Sequence, residues 1–278
     1  MDRKMNALIS TKELHDIIGK KGVKILDASY GQPPVDMCIG AAIDFDIDVV
    51  ADKDAVLPHT LPRPEVFAAH ASVLGLSNDD HIIVYDRSGL AMAASRAWWM
   101  FRIFGHEKVQ ILDGGFPAWL KAGYEISSKK NVKKSERTAY TVKYQPHLYK
   151  SRQDILDNLD KQAFTVLDAR DAKRYSGEAP EPRPGMQSGH IPGSVNVPYA
   201  TLIDPATGLF RSIEQVKEAL QHVDNAKPLA VSCGSGVTAC VVALGLYQLG
   251  QKDVAIYDGS WAEWGGDLST PKKKGNAP

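Results

Sequence analysis

The sequence predicts an α/β protein of two similar domains in tandem, each a mostly parallel sheet flanked by helices. Three observations carry this. Short apolar runs bounded by turn residues alternate with segments long enough for helices, the pattern of parallel strands covered on both faces. The order of these segments repeats with a period of roughly 145 residues, domain-sized rather than solenoid-sized. At 278 residues and 44% hydrophobic side chains, the chain can fill two compact cores.

In the first half, Ile9 to Gly19 reads as a helix, with Ser10 or Thr11 as N-cap, Glu13 in the first turn and Leu14, Ile17 and Ile18 on one face. Val23 to Ala28 reads as a buried strand and Ile39 to Ile47 as an extended stretch. A proline-rich loop, Leu57 to Pro64, leads into a helix from Pro64 to Leu74, where proline suits the first turn. His81 to Asp86 is a strand, Met92 to Phe104 an aromatic-rich helix, and Val109 to Gly115 a strand and turn. The second half repeats the order. Ser151 to Leu159 is a helix, Phe164 to Arg170 matches Ile25 to Ala28, and His190 to Val197 matches Cys38 to Phe45. Leu229 to Leu249 matches Ile83 to Phe104, and Tyr257 to Trp261 matches Leu112 to Phe116. We therefore expect domains over residues 1–126 and 151–278, a Lys- and Ser-rich linker over 127–150, and a frayed tail from Lys272 to Pro278.

The chemistry concentrates where a short apolar run that begins after Pro228, read as a buried strand, ends at Cys233, in Cys233-Gly234-Ser235-Gly236-Val237-Thr238, ahead of a small-residue helix that stops at Gly250. Gly234 and Gly236 let the backbone curl so that successive N–H groups converge, and the helix start adds its positive end. A thiol held there is favoured as thiolate and is nucleophilic. The first copy has Asp86-Arg87-Ser88-Gly89 in the corresponding position, so it lacks the thiol nucleophile and reads as non-catalytic.

CGSGVTA from Cys233 to Ala239, SGHIPGSVNVP from Ser188 to Pro198, and YDGSWAEW from Tyr257 to Trp264 together resemble the rhodanese-like sulfurtransferase family. Within it they are closest to the enzymes acting on 3-mercaptopyruvate. The resemblance covers nearly the whole chain and implies a sulfurtransferase. It would take sulfur from 3-mercaptopyruvate as a Cys233 persulfide, release pyruvate, and pass the sulfur to a thiol, a thioredoxin-like protein or cyanide. No cofactor or metal is implied. The amides of Gly234, Gly236, Val237 and Thr238 are expected to cradle the transferred sulfur. Arg174 and Arg183, in a segment resembling the family's substrate-arginine loop, are expected to grip the donor carboxylate bidentately. Ser235 is the candidate proton donor to the leaving enolate. The relatives often carry a histidine where this chain has Cys38, so a Ser–His relay lacks its expected partner; His59, in a first-half loop, is the remaining candidate. Arg87 is placed as a further residue able to face the site. His190 and Cys240 read as structural.

Equal numbers of basic and acidic residues, 33 each, give no support to nucleic-acid binding. Three scattered cysteines suit a reducing compartment, and the lack of a signal-like or membrane-spanning run points to the cytoplasm. Three other functions are weighed. A thiosulfate enzyme of the same family usually has cations directly after the cysteine, where this chain has Gly234 and Ser235. A cysteine phosphatase needs arginine at the position of Ala239. A non-catalytic sulfur-carrier or binding module usually lacks the cysteine.

Overall fold

The computed structural model describes residues 6–31, 35–132 and 136–277. Two compact units emerge: Met1–Lys53, Leu61–Gln145 and Pro205–Phe210 in the first, and Asp54–Thr60, Pro146–Asp204 and Arg211–Pro278 in the second.

The first unit runs β1 (Leu8–Ile9), α1 (Thr11–Ile17), β2 (Val23–Asp27), β3 (Ile43–Asp44), α2 (Ile47–Val50), α3 (Pro64–Val73), β4 (His81–Tyr85), α4 (Met92–Ile103), β5 (Val109–Leu112) and α5 (Gly115–Lys121). Its sheet has the order β1-β5-β4-β2-β3, parallel throughout. The last four residues of β4 and all four of β5 are buried, as expected of strands covered on both faces. Ser10 caps α1 reciprocally: its hydroxyl accepts from the Glu13 amide and its own amide donates to the Glu13 carboxylate. The core gathers Ile25, Ile83, Tyr85 and Leu112 from the strands with Phe116 and Trp119 from α5.

The second unit runs β6 (Tyr149–Lys150), α6 (Arg152–Lys161), β7 (Thr165–Asp168), α7 (Ala172–Ser176), β8 (Val195–Asn196), α8 (Ile213–Ala219), β9 (Leu229–Ser232), α9 (Ala239–Gln248), β10 (Ala255–Tyr257) and α10 (Ser260–Trp264). Its sheet order, β6-β10-β9-β7-β8, repeats that of the first unit strand for strand. Val166, Ile191, Tyr257, Trp261 and Trp264 form its core with Ile155 of α6.

Several expectations need correction. The stretch Ile39 to Ile47 is extended only at Ile43–Asp44, because Asp46 caps the short α2 with its carboxylate on the Asp48 amide. The tail is not frayed between 272 and 277. Lys273 and His190 exchange backbone hydrogen bonds, the Gly275 amide donates to Ser176, and His190 Nε2 faces the Ala277 carbonyl at 3.2 Å. The 127–150 stretch, of which 133–135 lie outside the described residues, is anchored as well. Ser127 pairs with Cys38, and the Lys143 amide donates to Phe104 within the first unit, whereas Tyr149–Lys150 is already the edge strand of the second.

Candidate active site

β9 presents four buried residues, and the next residue is Cys233, which is 1% exposed. It lies beside β7 at the carboxyl edge of the sheet, where the chain leaves the two strands toward opposite sides. Crevices for ligands form at such switch points. The start of α10 pins the thiol-bearing turn. Cys233 N donates to Ser260 Oγ at 3.1 Å, Trp261 N donates to the Cys233 carbonyl at 3.0 Å, and Ala262 N donates to the Gly234 carbonyl at 2.9 Å. Gly236 sits at φ 77°, a left-handed conformation that favours glycine, and the Cys240 thiol donates to its carbonyl at 3.2 Å. Among the described residues, the amides of Gly234, Ser235, Val237 and Thr238 have no protein acceptor. The loop beside the thiol therefore offers unspent donors, an arrangement suited to negative charge. The Ser235 side chain is also buried, at 9% exposure, and its hydroxyl has no protein partner among the described residues.

Both sequence-predicted arginines lie against this loop. A Cβ on Gly234 would stand 3.3 Å from Arg174 Nη2 and 3.8 Å from Arg183 Nη1, so the missing side chain leaves room for two guanidinium groups. Arg174 lies on α7, within a stretch read as loop, and Asp171 caps that helix by accepting from the Arg174 amide. Its side chain also binds Glu181 through Nε at 3.2 Å and Nη2 at 2.6 Å. Arg183 is half-buried and pairs with no carboxylate among the described residues. Below them, Arg170 is fully buried, bonds Asp168 and Glu181, and lies 4.1 Å above the Trp261 ring.

The first unit holds the same scaffold with different contents. Phe116 N donates to the Asp86 carbonyl, as Trp261 N does to Cys233, and Gly89 is left-handed, as Gly236 is. The Asp86 carboxylate itself fills the turn, accepting from the Ser88 amide and hydroxyl and from the Ala94 amide. Arg87 is committed to Asp27 through Nε and Nη2 and lies 4.7 Å above Phe116, the position that Arg170 takes in the second unit. Cys38 is fully buried; burial pushes its thiol up, and its S–H donates to Gly40 O at 3.4 Å. His190, its counterpart, stacks on Tyr175 at 3.9 Å with Nδ1 facing the Tyr175 carbonyl. His59 is left-handed at φ 58° in the segment Asp54–Thr60, which is grouped with the second unit although it precedes the first unit's last strands.

Sequence reasoning missed Glu181 and Ser260. Glu181 stands between prolines in a stretch that reads as solvated loop, and a serine after a glycine turn carries no sign that it receives the cysteine amide.

The rhodanese-like domain model matches residues 10–122 and 151–267. The rat 3-mercaptopyruvate sulfurtransferase is 44% identical over 254 residues, 87% of this chain and 84% of that protein. The Arabidopsis thaliana mitochondrial thiosulfate/3-mercaptopyruvate sulfurtransferase 1 is 40% identical over 287 residues, 92% of this chain and 75% of that protein. The crystal structure of SseA from Escherichia coli, described as a 3-mercaptopyruvate sulfotransferase, superposes with a TM-score of 0.82 at 34% identity, covering 92% of this chain and 99% of that one. With two matched domains spanning most of its length and the thiol-bearing turn in the second, the chain belongs to the rhodanese-like family.

Proposed function

We infer that the protein is a sulfurtransferase that takes sulfur from 3-mercaptopyruvate onto Cys233 and passes it to a thiol, a thioredoxin-like protein or cyanide. The observation that carries this reading is a buried thiol in a loop of unspent amides, with two arginines beside the next residue.

The Cys233 sulfur attacks the donor's sulfur. The S–S bond of a persulfide forms, the donor's C–S bond breaks, and its electron pair leaves as the enolate of pyruvate. The enolate then takes a proton, for which Ser235 is the candidate source, directly or through water. Arg174 and Arg183 hold the donor carboxylate, and the loop amides stabilise charge on the transferred sulfur. In the second half-reaction an acceptor nucleophile attacks the outer persulfide sulfur and returns Cys233 as thiolate. A cation after the cysteine, the usual mark of thiosulfate enzymes, would stand against two guanidinium groups here, which favours the oxo acid. We assign the first unit no catalytic role, because Asp86 provides no sulfur nucleophile.

Cys233→Ser should abolish turnover, while Cys38→Ser and Cys240→Ser should retain it. Mass spectrometry after donor treatment should show one added sulfur on Cys233. Sulfur found on Cys38 or Cys240 instead, or faster turnover of thiosulfate than of 3-mercaptopyruvate, would overturn the corresponding part of the assignment.

A further inference from the structure

We propose that Glu181 is a positioning residue that clamps Arg174 in the orientation required by the donor carboxylate; the proposal rests on the reading of Arg174 given above. Its side chain is 4% exposed. A carboxylate so buried persists only where cations and hydrogen bonds compensate it. Three donors do so: Arg170 Nη1 at 2.9 Å, Arg174 Nε at 3.2 Å and Arg174 Nη2 at 2.6 Å. Arg170 is in turn fixed from the other side by Asp168 and the Gly189 carbonyl. The result is a chain of alternating charge, Asp168–Arg170–Glu181–Arg174, anchored at the end of β7 and reaching the loop only through its last member, whose side chain is 23% exposed.

A guanidinium has five N–H donors in a rigid fork. Glu181 takes the Nε edge and one Nη2 hydrogen. That leaves both Nη1 hydrogens and the second Nη2 hydrogen, with Nη2 lying 3.3 Å from where a Cβ of Gly234 would be. The clamp thus spends one edge of the fork on the protein and presents the other to a ligand. Arg183, with no carboxylate partner among the described residues, is held by nothing comparable. Arg174 is thus held by a carboxylate of the protein before a ligand arrives, and Arg183, among the described residues, is not.

Two opposite consequences follow from a carboxylate next to a substrate-binding cation, and they make the idea testable. As a charge alone, Glu181 weakens the pull of Arg174 on an anion, so its removal should lower the KM. As a clamp, it removes the rotamer freedom of a long side chain before binding, so its removal should raise the KM. Freezing such a side chain corresponds to about three- to tenfold in affinity.

The experiment is steady-state kinetics on the full chain with 3-mercaptopyruvate. Glu181→Gln is expected to raise KM by about three- to tenfold with kcat within about twofold of wild type. In an Arg174→Ala background the same substitution should change KM by less than about twofold, because the residue through which it acts is gone. Alkylation of Cys233 by neutral iodoacetamide should keep its wild-type rate. Glu181→Asp retains the charge with a shorter reach and should give an intermediate KM; it serves alone if the Gln variant does not fold. An unchanged or lowered KM in either variant, or full multiplication of the two effects in the double variant, would overturn the proposal. If Arg174→Ala leaves KM unchanged, the carboxylate reading itself fails and this proposal with it. If Arg174→Ala raises KM and Glu181→Gln does not, only the clamp fails.

Discussion

Gly234 joins the thiol-bearing residue to a loop that two guanidinium groups approach, and its lack of a side chain is what admits them. Each charge-assisted contact to a donor carboxylate is worth about 1.5–3 kcal/mol, or roughly ten- to a hundredfold in catalytic efficiency. Arg174→Ala and Arg183→Ala should each raise the KM for 3-mercaptopyruvate by that order, read in steady-state kinetics. Their effects on folding should differ. Arg174→Ala leaves the buried Glu181 carboxylate with Arg170 alone, whereas Arg183 has no carboxylate partner to abandon among the described residues. A melting temperature lowered only for Arg174→Ala is the expected pattern, and equal melting curves would argue that Glu181 draws little from this pair. That Cys233 and both arginines come together was legible in the sequence, because a cysteine followed by a glycine turn and arginines in a resembling segment are local signals. Glu181 was not legible. What separates it from the neighbouring Glu178 is burial between two arginines, and burial is a property of the folded chain.

Among the elements, strands were read most reliably, since each buried strand is a continuous apolar run: β4 and β5 lie where their residues predict. Helices α5 and α10 were missed because they begin at glycine turns and lack side-chain caps, and α7 because it is one short turn in a polar loop. The anchored tail was missed for a related reason, since Lys273 and Gly275 are tied through their backbone to His190 and Ser176, and no side chain advertises those bonds. Deleting residues 273–278 removes the Lys273–His190 backbone pair and the Gly275 bond to Ser176, and uncovers the ring of His190. A loss of about 1–3 kcal/mol is expected. It should appear as a melting temperature lowered by about 2–4 °C per kcal/mol, and an unchanged melt would show that the tail is a passenger. The end of β2 supplies a pH-dependent counterpart. Burial alone would push the Asp27 carboxyl up, but the Ser29 hydroxyl, the Lys129 ammonium and the Arg87 guanidinium together hold it below its ordinary 3.8. A depressed folded value contributes stability that is complete above the ordinary carboxylate range and is lost as pH falls through the folded value. Asp27→Asn should therefore be less stable than wild type at neutral pH, with the difference shrinking below about pH 4 in acid denaturation monitored by circular dichroism. A difference constant with pH would exclude the ionised carboxylate as its source.

For the whole molecule, the question is what equips one of two copies of a scaffold, and not the other, for the proposed chemistry. The sheets match strand for strand, and the turn after β4 is pinned as the turn after β9 is. Two differences separate them. In the second turn the amides of Gly234, Ser235, Val237 and Thr238 have no acceptor among the described residues, while in the first Asp86 and neighbouring hydroxyls take those of Arg87, Ser88, Leu90 and Ala94. The chain also has 10 residues between Asp27 and Cys38 but 21 between Asp168 and His190, and the longer segment brings α7, Arg174, Glu181 and Arg183. A thiol alone should therefore not revive the first copy. Asp86→Cys combined with Cys233→Ser is expected to show no 3-mercaptopyruvate turnover above that of Cys233→Ser, and no added sulfur on residue 86 by mass spectrometry. The same substitution withdraws an acceptor from the buried Ala94 amide, at a cost of about 1–3 kcal/mol, so the melt should fall even though the side chain is smaller. Turnover by this variant would mean that the thiol and its turn suffice and that the inserted arginine segment is dispensable. A folded but inactive protein would locate the difference between the copies in the cradle and the arginines, beyond the presence of sulfur.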